Sequence, residues 1–554
     1  MRTSRRQSNY VALSIALSLI VAACIETFFC TTRVISILLI PPILVVSNHI
    51  AARIVHLFVI FFIERRYIKY KKEFHMETLE NPVLVVVPIL IFDRRHLDLV
   101  VARFEKNFRK IDTTAAVMVL LVDFVDSATE YLSQQEIDLL EHCSKKIQLL
   151  NLAYSTGHCN SPFILASRKR QYSKTEQAWI GSGRKLGKIF ELFKFTQFIK
   201  SEIQITVGLA NSLRGAKYAL VVDDDCELTP GSLQLLTASA EHPLNQPVID
   251  HQSMVVTAGH GIIFPTIGRK KHNSAVPRSI CYDLFGAARF PGKGLYNIRA
   301  FLAALEHRIP EESVLSHDTF ESLWLRPGLC SFATFIEGHP SSYIGLCERR
   351  HRWVRGDWQN FALTTGLISK KADIPFFGWL TIFEQLRNSL LPISTTLILL
   401  ALITMPGFRG AIYLAFGLFA KSILDIAFKF ISYRKIKRLS SKKIIKKIAF
   451  IVVHNALLIQ SSPHRAICDL DAIASSWVRI FTKRKLLQWT SAAQIDHSTN
   501  LSLKSTRYLF AITLASVIYT ICAAIEQKLT PLSVILMISW ALSPLWLLIR
   551  PREK

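Results

Sequence analysis

Residues 218–228 read YALVVDDDCEL, an apolar, strand-forming run that passes without a turn into Asp223, Asp224 and Asp225. Thr229 and Pro230 follow as a helix cap and first turn. Two further runs, PVLVVVPI at 82–89 and AAVMVLLV at 115–122, are rich in β-branched residues, with helix-like sequence from about Leu97 to Phe108 between them. Continuous apolar strands are buried on both faces, as in a parallel sheet, and strand, helix, strand makes a βαβ unit. The fold class is therefore α/β. Ligands of such sheets bind beyond the carboxyl ends of the strands, so Asp123 and the aspartate triplet, each placed directly after a strand, are site candidates.

Three adjacent carboxylates repel one another unless a cation neutralises them. A hard ion, Mg²⁺ or Mn²⁺, suits one or two carboxylates plus substrate phosphates; a solvated acidic turn has the same composition. Residues 348–360, ERRHRWVRGDWQN, gather Arg349, Arg350, His351, Arg352 and Arg355 around Trp353 and Trp358. Guanidinium forks pair bidentately with phosphate, and an indole face stacks on a pyranose ring or supports an arginine. A solvated basic helix face shares that composition.

Half of the 554 residues are apolar, which is enough for one or two domains and for membrane spans besides. The formal charge of +26 lies mainly at the ends of apolar segments, at Arg5 and Arg6, 65–72 and 434–447. That is the positive-inside pattern, and it argues against nucleic acid as a partner, which calls for a basic stripe with interleaved aromatics. The ten cysteines form no CxxC pair and no zinc-like spacing with histidine, and read as reduced thiols facing the cytosol.

About six spans are expected: residues 10–30, one within 34–63, then 389–405, 411–431, 508–524 and 532–549. The chain divides into an N-terminal transmembrane region (1–72, two spans), a cytosolic domain (73–385), and a C-terminal transmembrane region (386–554, about four spans). Residues 442–500 carry apolar residues at helical spacing among lysine, arginine and tryptophan, the pattern of interfacial amphipathic helices or of ordinary packed ones. Residues 448–460 are short for a crossing and read as interfacial or re-entrant.

The order of DDD after a strand, LSHDTFE (315–321) and RRHRWVRGDWQ before a span is similar to that of processive, inverting family-2-type glycosyltransferases such as cellulose synthase. From about Asn81 onward the chain resembles, more narrowly, the glycosyltransferase segment of bacterial cyclic β-1,2-glucan synthases. The likeness rests on SRKRQYSKTEQAWIGSGRKLGK (167–188), EHPLNQPVID (241–250), PGKGLYNIRAF (291–301), LDAIASSWVRIFTKRKLLQWTSAAQ (470–494) and SWALSPLWLLIRP (539–551).

Six crossings put both termini and the large domain on the same, basic, cytosolic side. The resemblance implies a GT-A-like nucleotide-sugar-binding domain inserted between transmembrane helices in a bacterial inner (cytoplasmic) membrane. It implies transfer of glucose from UDP-glucose to a growing β-1,2-glucan; a different sugar nucleotide or a lipid-linked acceptor is the alternative, and a non-catalytic membrane scaffold ranks below both. By the resemblance Asp223 and Asp225 hold the metal, Asp123 contacts the uridine or is a turn aspartate, and Asp318 is the general base. Arg184, Lys185 and Lys188 lie near phosphates or in a solvated basic loop, Arg352 and Arg355 serve the donor, and Trp353 serves the acceptor. Two departures qualify the transfer: Ser316, His317, Asp318 replace threonine, glutamate, aspartate, and Arg349 stands where cellulose synthases have glutamine. Full cyclic glucan synthases continue into a phosphorylase-like region, whereas this sequence stops at Lys554. The expectation is a linear product, or one finished by a separate phosphorylase or export protein.

Overall fold

The two β-branched runs pair in parallel from Val83 against Ala116 to Ile91 against Phe124. In the computed structural model the described residues are 2–28, 33–111, 115–154, 161–268, 279–306, 308, 312, 315–338, 342–367, 374–405, 409–432, 441–488 and 503–548. The strands are β1 (Val83–Ile91), β2 (Ala116–Phe124), β3 (Phe163–Arg168), β4 (Gln171–Ser173), β5 (Ala178–Ile180), β6 (Ile203–Val207) and β7 (Tyr218–Val221), then β8 (Glu227–Leu228), β9 (Val248–Asp250), β10 (Val255–Ala258), β11 (Ile262–Gly268), β12 (Gly294–Asn297) and β13 (Gly328–Ile336).

Nine of them form one mixed sheet, in the order β6-β3-β2-β1-β7-β12-β11-β13-β8. β1, β2, β3 and β7 run parallel, β12 runs against them, and β11 and β13 return to the parallel direction. Between β1 and β2 the helix Arg94–Phe108 starts at Asp93, whose side chain accepts from the His96 N–H, and packs Leu97, Val100, Val101 and Phe104 inward. The mixed α/β reading stands.

Four helices among the described residues are long and apolar enough to cross a bilayer: Ile37–Phe62, Phe376–Ile403, Arg409–Ala427 and Ser505–Ile525. Pro41 and Pro42 lie inside the first of these helices without ending it. Ile444–Gln460 and Ser462–Thr482 meet at a 57° bend, the geometry of a broken span or a re-entrant loop; counted as one span, the pair brings the total to five. Of the two remaining expected spans, the first corresponds to the shorter apolar helix Ser8–Ala23 and the last to Pro531–Ala541. The last is cut short because the chain turns at Leu542 and starts a new helix, Ser543–Leu548, with Pro544 in its first turn. Residues 489–500, the end of the expected amphipathic stretch, lie outside the described residues.

Candidate active site

The sheet topology brings chemistry to one edge. β2 delivers Asp123, β7 runs into Asp223–Asp225, and β13 ends at Glu337. Because β12 is antiparallel to β7, its beginning lies at this same edge and supplies Lys293. The helix His317–Leu325 adds Asp318 in its first turn, and the helix Tyr343–Thr365 lays Arg349, Arg352 and Trp353 across the opening. All of these but Lys293, which lies behind the acids, line a cavity of about 450 Å³, the size expected for a nucleotide-sized ligand.

Asp223, Asp225 and Glu337 each offer a carboxylate oxygen within 4.8 Å of the others. Lys293, only 2% exposed, bridges Asp223 (2.8 Å) and Glu337 (3.1 Å), and Lys185 donates to Asp223. Burial pushes the Asp223 pKa up, but these two ammonium groups outweigh it and hold the acid ionised. Lys293 also lowers the Asp225 pKa, but without the direct ion pair it makes to Asp223 and Glu337, and it does not prevail. Burial, then the neighbouring Asp223 and Glu337, push Asp225 up to about 6. Crowded, oxygen-only and partly uncompensated, this donor set fits a hard divalent cation. Asp224 turns aside, 3.1 Å from His96 Nε2.

Asp318 lies 3.0 Å from His317 Nε2, as an ion pair rather than an aligned hydrogen bond. Burial raises the Asp318 carboxyl, yet the adjacent imidazole more than offsets it, leaving a pKa of about 2. Gly292, at φ +81°, packs directly on that carboxylate, and a Cβ there would overlap it. Gly292→Ala is accordingly expected to cost at least tenfold in turnover by displacing Asp318, with a fall of about 1–3 kcal/mol in stability; thermal unfolding alongside turnover checks both.

Helical phase sorts the basic run. At about 100° per residue, Arg349, Arg352, Trp353 and Gly356 share a face, which the cavity and the Ser316 contact of Gly356 define. Trp353 is 47% exposed, with the Arg349 guanidinium 4.7 Å from its ring centre. Arg350 turns elsewhere and clamps Asp469, fully buried on the helix Ser462–Thr482, with contacts of 2.7 and 2.9 Å. His351 pairs with Asp471 at 3.0 Å. Arg355, expected at the donor, points away from the cavity and donates to the Gln488 carbonyl. Trp358 is also structural, bonded to Ser389 Oγ at 3.1 Å and packed on Trp477.

The remaining candidates line the cavity with their charges already engaged. Both oxygens of Asp123 accept from Arg168, at 2.8 and 2.9 Å. The Lys188 ammonium donates to the Ile89 carbonyl at 2.6 Å, and burial pulls its pKa down to about 8. Arg184 pairs with Asp126, with one contact at 2.8 Å.

Glu337, Lys293, Arg168 and His96 were not among the sequence candidates. Glu337, like Asp223, lies just beyond the end of a strand. Arg168 falls within the quoted stretch 167–188, and Lys293 within 291–301.

No protein-family model matches the chain. The cyclic beta-(1,2)-glucan synthase NdvB of Rhizobium meliloti (strain 1021) is 29% identical over 451 residues, covering 76% of this chain. The chain spans 16% of that curated protein's length. Among solved structures, S. aureus TarS covers 72% of this chain and 55% of its own, at 12% identity and a TM-score of 0.29, too low to support any inference. The resemblance to the glycosyltransferase segment of cyclic β-1,2-glucan synthases thus extends over three-quarters of the chain.

Proposed function

We propose that this protein is a membrane-bound inverting glucosyltransferase that moves glucose from UDP-glucose to a growing β-1,2-glucan on the cytosolic face of the membrane. One observation carries the reading: three clustered acids, an ionised aspartate, an arginine and a half-exposed tryptophan line a single cavity at the strand ends.

Asp223, Asp225 and Glu337 would hold Mg²⁺ or Mn²⁺, which when bound neutralises charge on a diphosphate. Asp318 takes the proton of the acceptor hydroxyl as its oxygen bonds to the anomeric carbon and the bond to the diphosphate breaks. One displacement inverts the centre, so no enzyme nucleophile is needed. Arg352, behind the leaving group, stabilises the charge that builds there. Trp353 offers its face to the acceptor sugar. The donor half of a second reading, another sugar nucleotide, is favoured by one detail: Arg168 already occupies both oxygens of Asp123, the expected uridine contact.

Membranes carrying the full chain, given divalent cation and labelled UDP-glucose, are expected to form polymer, and linkage analysis is expected to return β-1,2 bonds. Consumption of a different sugar nucleotide instead would move the conclusion to the second reading, and consumption of none would remove both. Arg352→Ala and Trp353→Ala separate the two halves of the site. The first is expected to slow donor cleavage about 10²-fold even with water as acceptor. The second is expected to raise the acceptor KM by about tenfold and leave hydrolysis of the donor intact.

A further inference from the structure

One turn into the helix His317–Leu325, Glu321 comes back beneath His317. Its side chain is completely buried; Oε2 accepts from the Tyr296 hydroxyl at 2.5 Å, and Oε1 lies 3.1 Å from His317 Nδ1. The other ring nitrogen, Nε2, lies 3.0 Å from Asp318 Oδ1. The imidazole therefore stands between two carboxylates with one nitrogen toward each. A neutral ring carries a single N–H and would turn a lone pair toward one of the acids, whereas the doubly protonated ring attracts both, by charge alone on the Asp318 side.

Resting on the reading of Asp318 as the base, the geometry points to His317 and Glu321 as positioning residues, an imidazolium anchored by Glu321 that holds Oδ1 of Asp318 and leaves Oδ2 for the acceptor hydroxyl. When Oδ2 takes the acceptor proton, Asp318 becomes neutral. The imidazolium keeps both its protons because Glu321 still balances its charge, and Asp318 later gives its proton to solvent. Glu321 in turn is fixed by Tyr296 from β12, so the array is tied to the sheet. The other charged groups that reach Asp318 are Lys185, Asp223, Arg352 and Asp357, and Lys185 also reaches His317. The ionisation agrees with the geometry: burial pulls the His317 pKa down, but Asp318 and Glu321 outweigh it and raise it to about 9.

The test is the pH profile of polymer synthesis in membranes supplied with UDP-glucose, for the unchanged protein, His317→Gln, Glu321→Gln and Asp318→Asn. The unchanged protein is expected to lose activity on the alkaline side near pH 9, where the ring gives up its second proton. His317→Gln is expected to lower kcat about 10–100-fold, within the range for a misplaced base, with the UDP-glucose KM changed less than about threefold. Its alkaline limb disappears. Its acid limb moves up by about 1–3 units, because the imidazolium no longer opposes the burial of Asp318 and only the weaker pull of Lys185 and Arg352 remains. Glu321→Gln removes one of the two anions on the ring and is expected to move the alkaline limb down. A purely structural role would lower kcat or stability and leave both limbs in place, and that result overturns the assignment. Should His317→Gln not be recovered folded, the alkaline limb of Glu321→Gln decides. If Asp318→Asn keeps full activity, the base assignment itself fails; if Asp318→Asn is inactive while the limbs of the other two variants stay fixed, only the positioning role fails.

Discussion

Asp318→Asn should reduce polymer formation by about 10²–10⁴-fold, the usual worth of a general base. Asparagine has nearly the shape of aspartate and can keep the packing against Gly292, so the fold and donor binding should survive. What it lacks is a lone-pair oxygen basic enough to accept the acceptor proton. The carboxylate it replaces is held ionised far below neutral pH, so the unchanged protein has its base ready across the working range. Incorporation of labelled glucose, read beside UDP protection against thermal unfolding, separates lost chemistry from lost binding. A variant that keeps more than about a tenth of the activity would remove Asp318 from the mechanism.

Asp225→Ala should be nearly as damaging, with a loss on the order of 10³-fold and no recovery on adding cation. Burial, Asp223 and Glu337 push the Asp225 carboxyl up to about 6 against the opposing pull of Lys293, which pairs directly with the other two acids. A divalent cation removes that repulsion. Chelation of the unchanged protein should therefore abolish synthesis, and Mg²⁺ or Mn²⁺ should restore it. A cation titration of Asp225→Ala that matched the unchanged protein would exclude Asp225 as a ligand. Glu337→Gln, which keeps one carbonyl oxygen, should fall between the two.

The centre of this site was legible in sequence because β1, β2 and β7 are buried on both faces and so read as unbroken apolar runs. Glu337 escaped because β13 alternates buried and half-exposed residues, which hides the strand whose end it marks. Lys293 escaped for a topological reason. It precedes an antiparallel strand, and nothing local says that the beginning of β12 adjoins the end of β7. The basic run shows a different limit. Composition gathers five cationic side chains in seven residues, but helical phase sends Arg349 and Arg352 to the cavity and Arg350, His351 and Arg355 toward residues 469–488. Asp471 lies in the stretch 470–494 and Asp469 just before it, yet their partners lie about 120 positions away, beyond any local pattern.

The clamp between Arg350 and Asp469 also bears on whether this protein can be divided. A fragment ending where the composition turns apolar, near residue 385, would keep every acid of the cavity and lose Asp469 and Asp471, the partners of Arg350 and His351. It would also lose the Leu486 carbonyl that accepts from Gln359, and the strap in which Lys485 and Leu487 donate to Thr175 and Glu176. Excision is the wrong route to a soluble enzyme, since the helix that presents Arg352 and Trp353 is as much a piece of the membrane assembly as of the sheet.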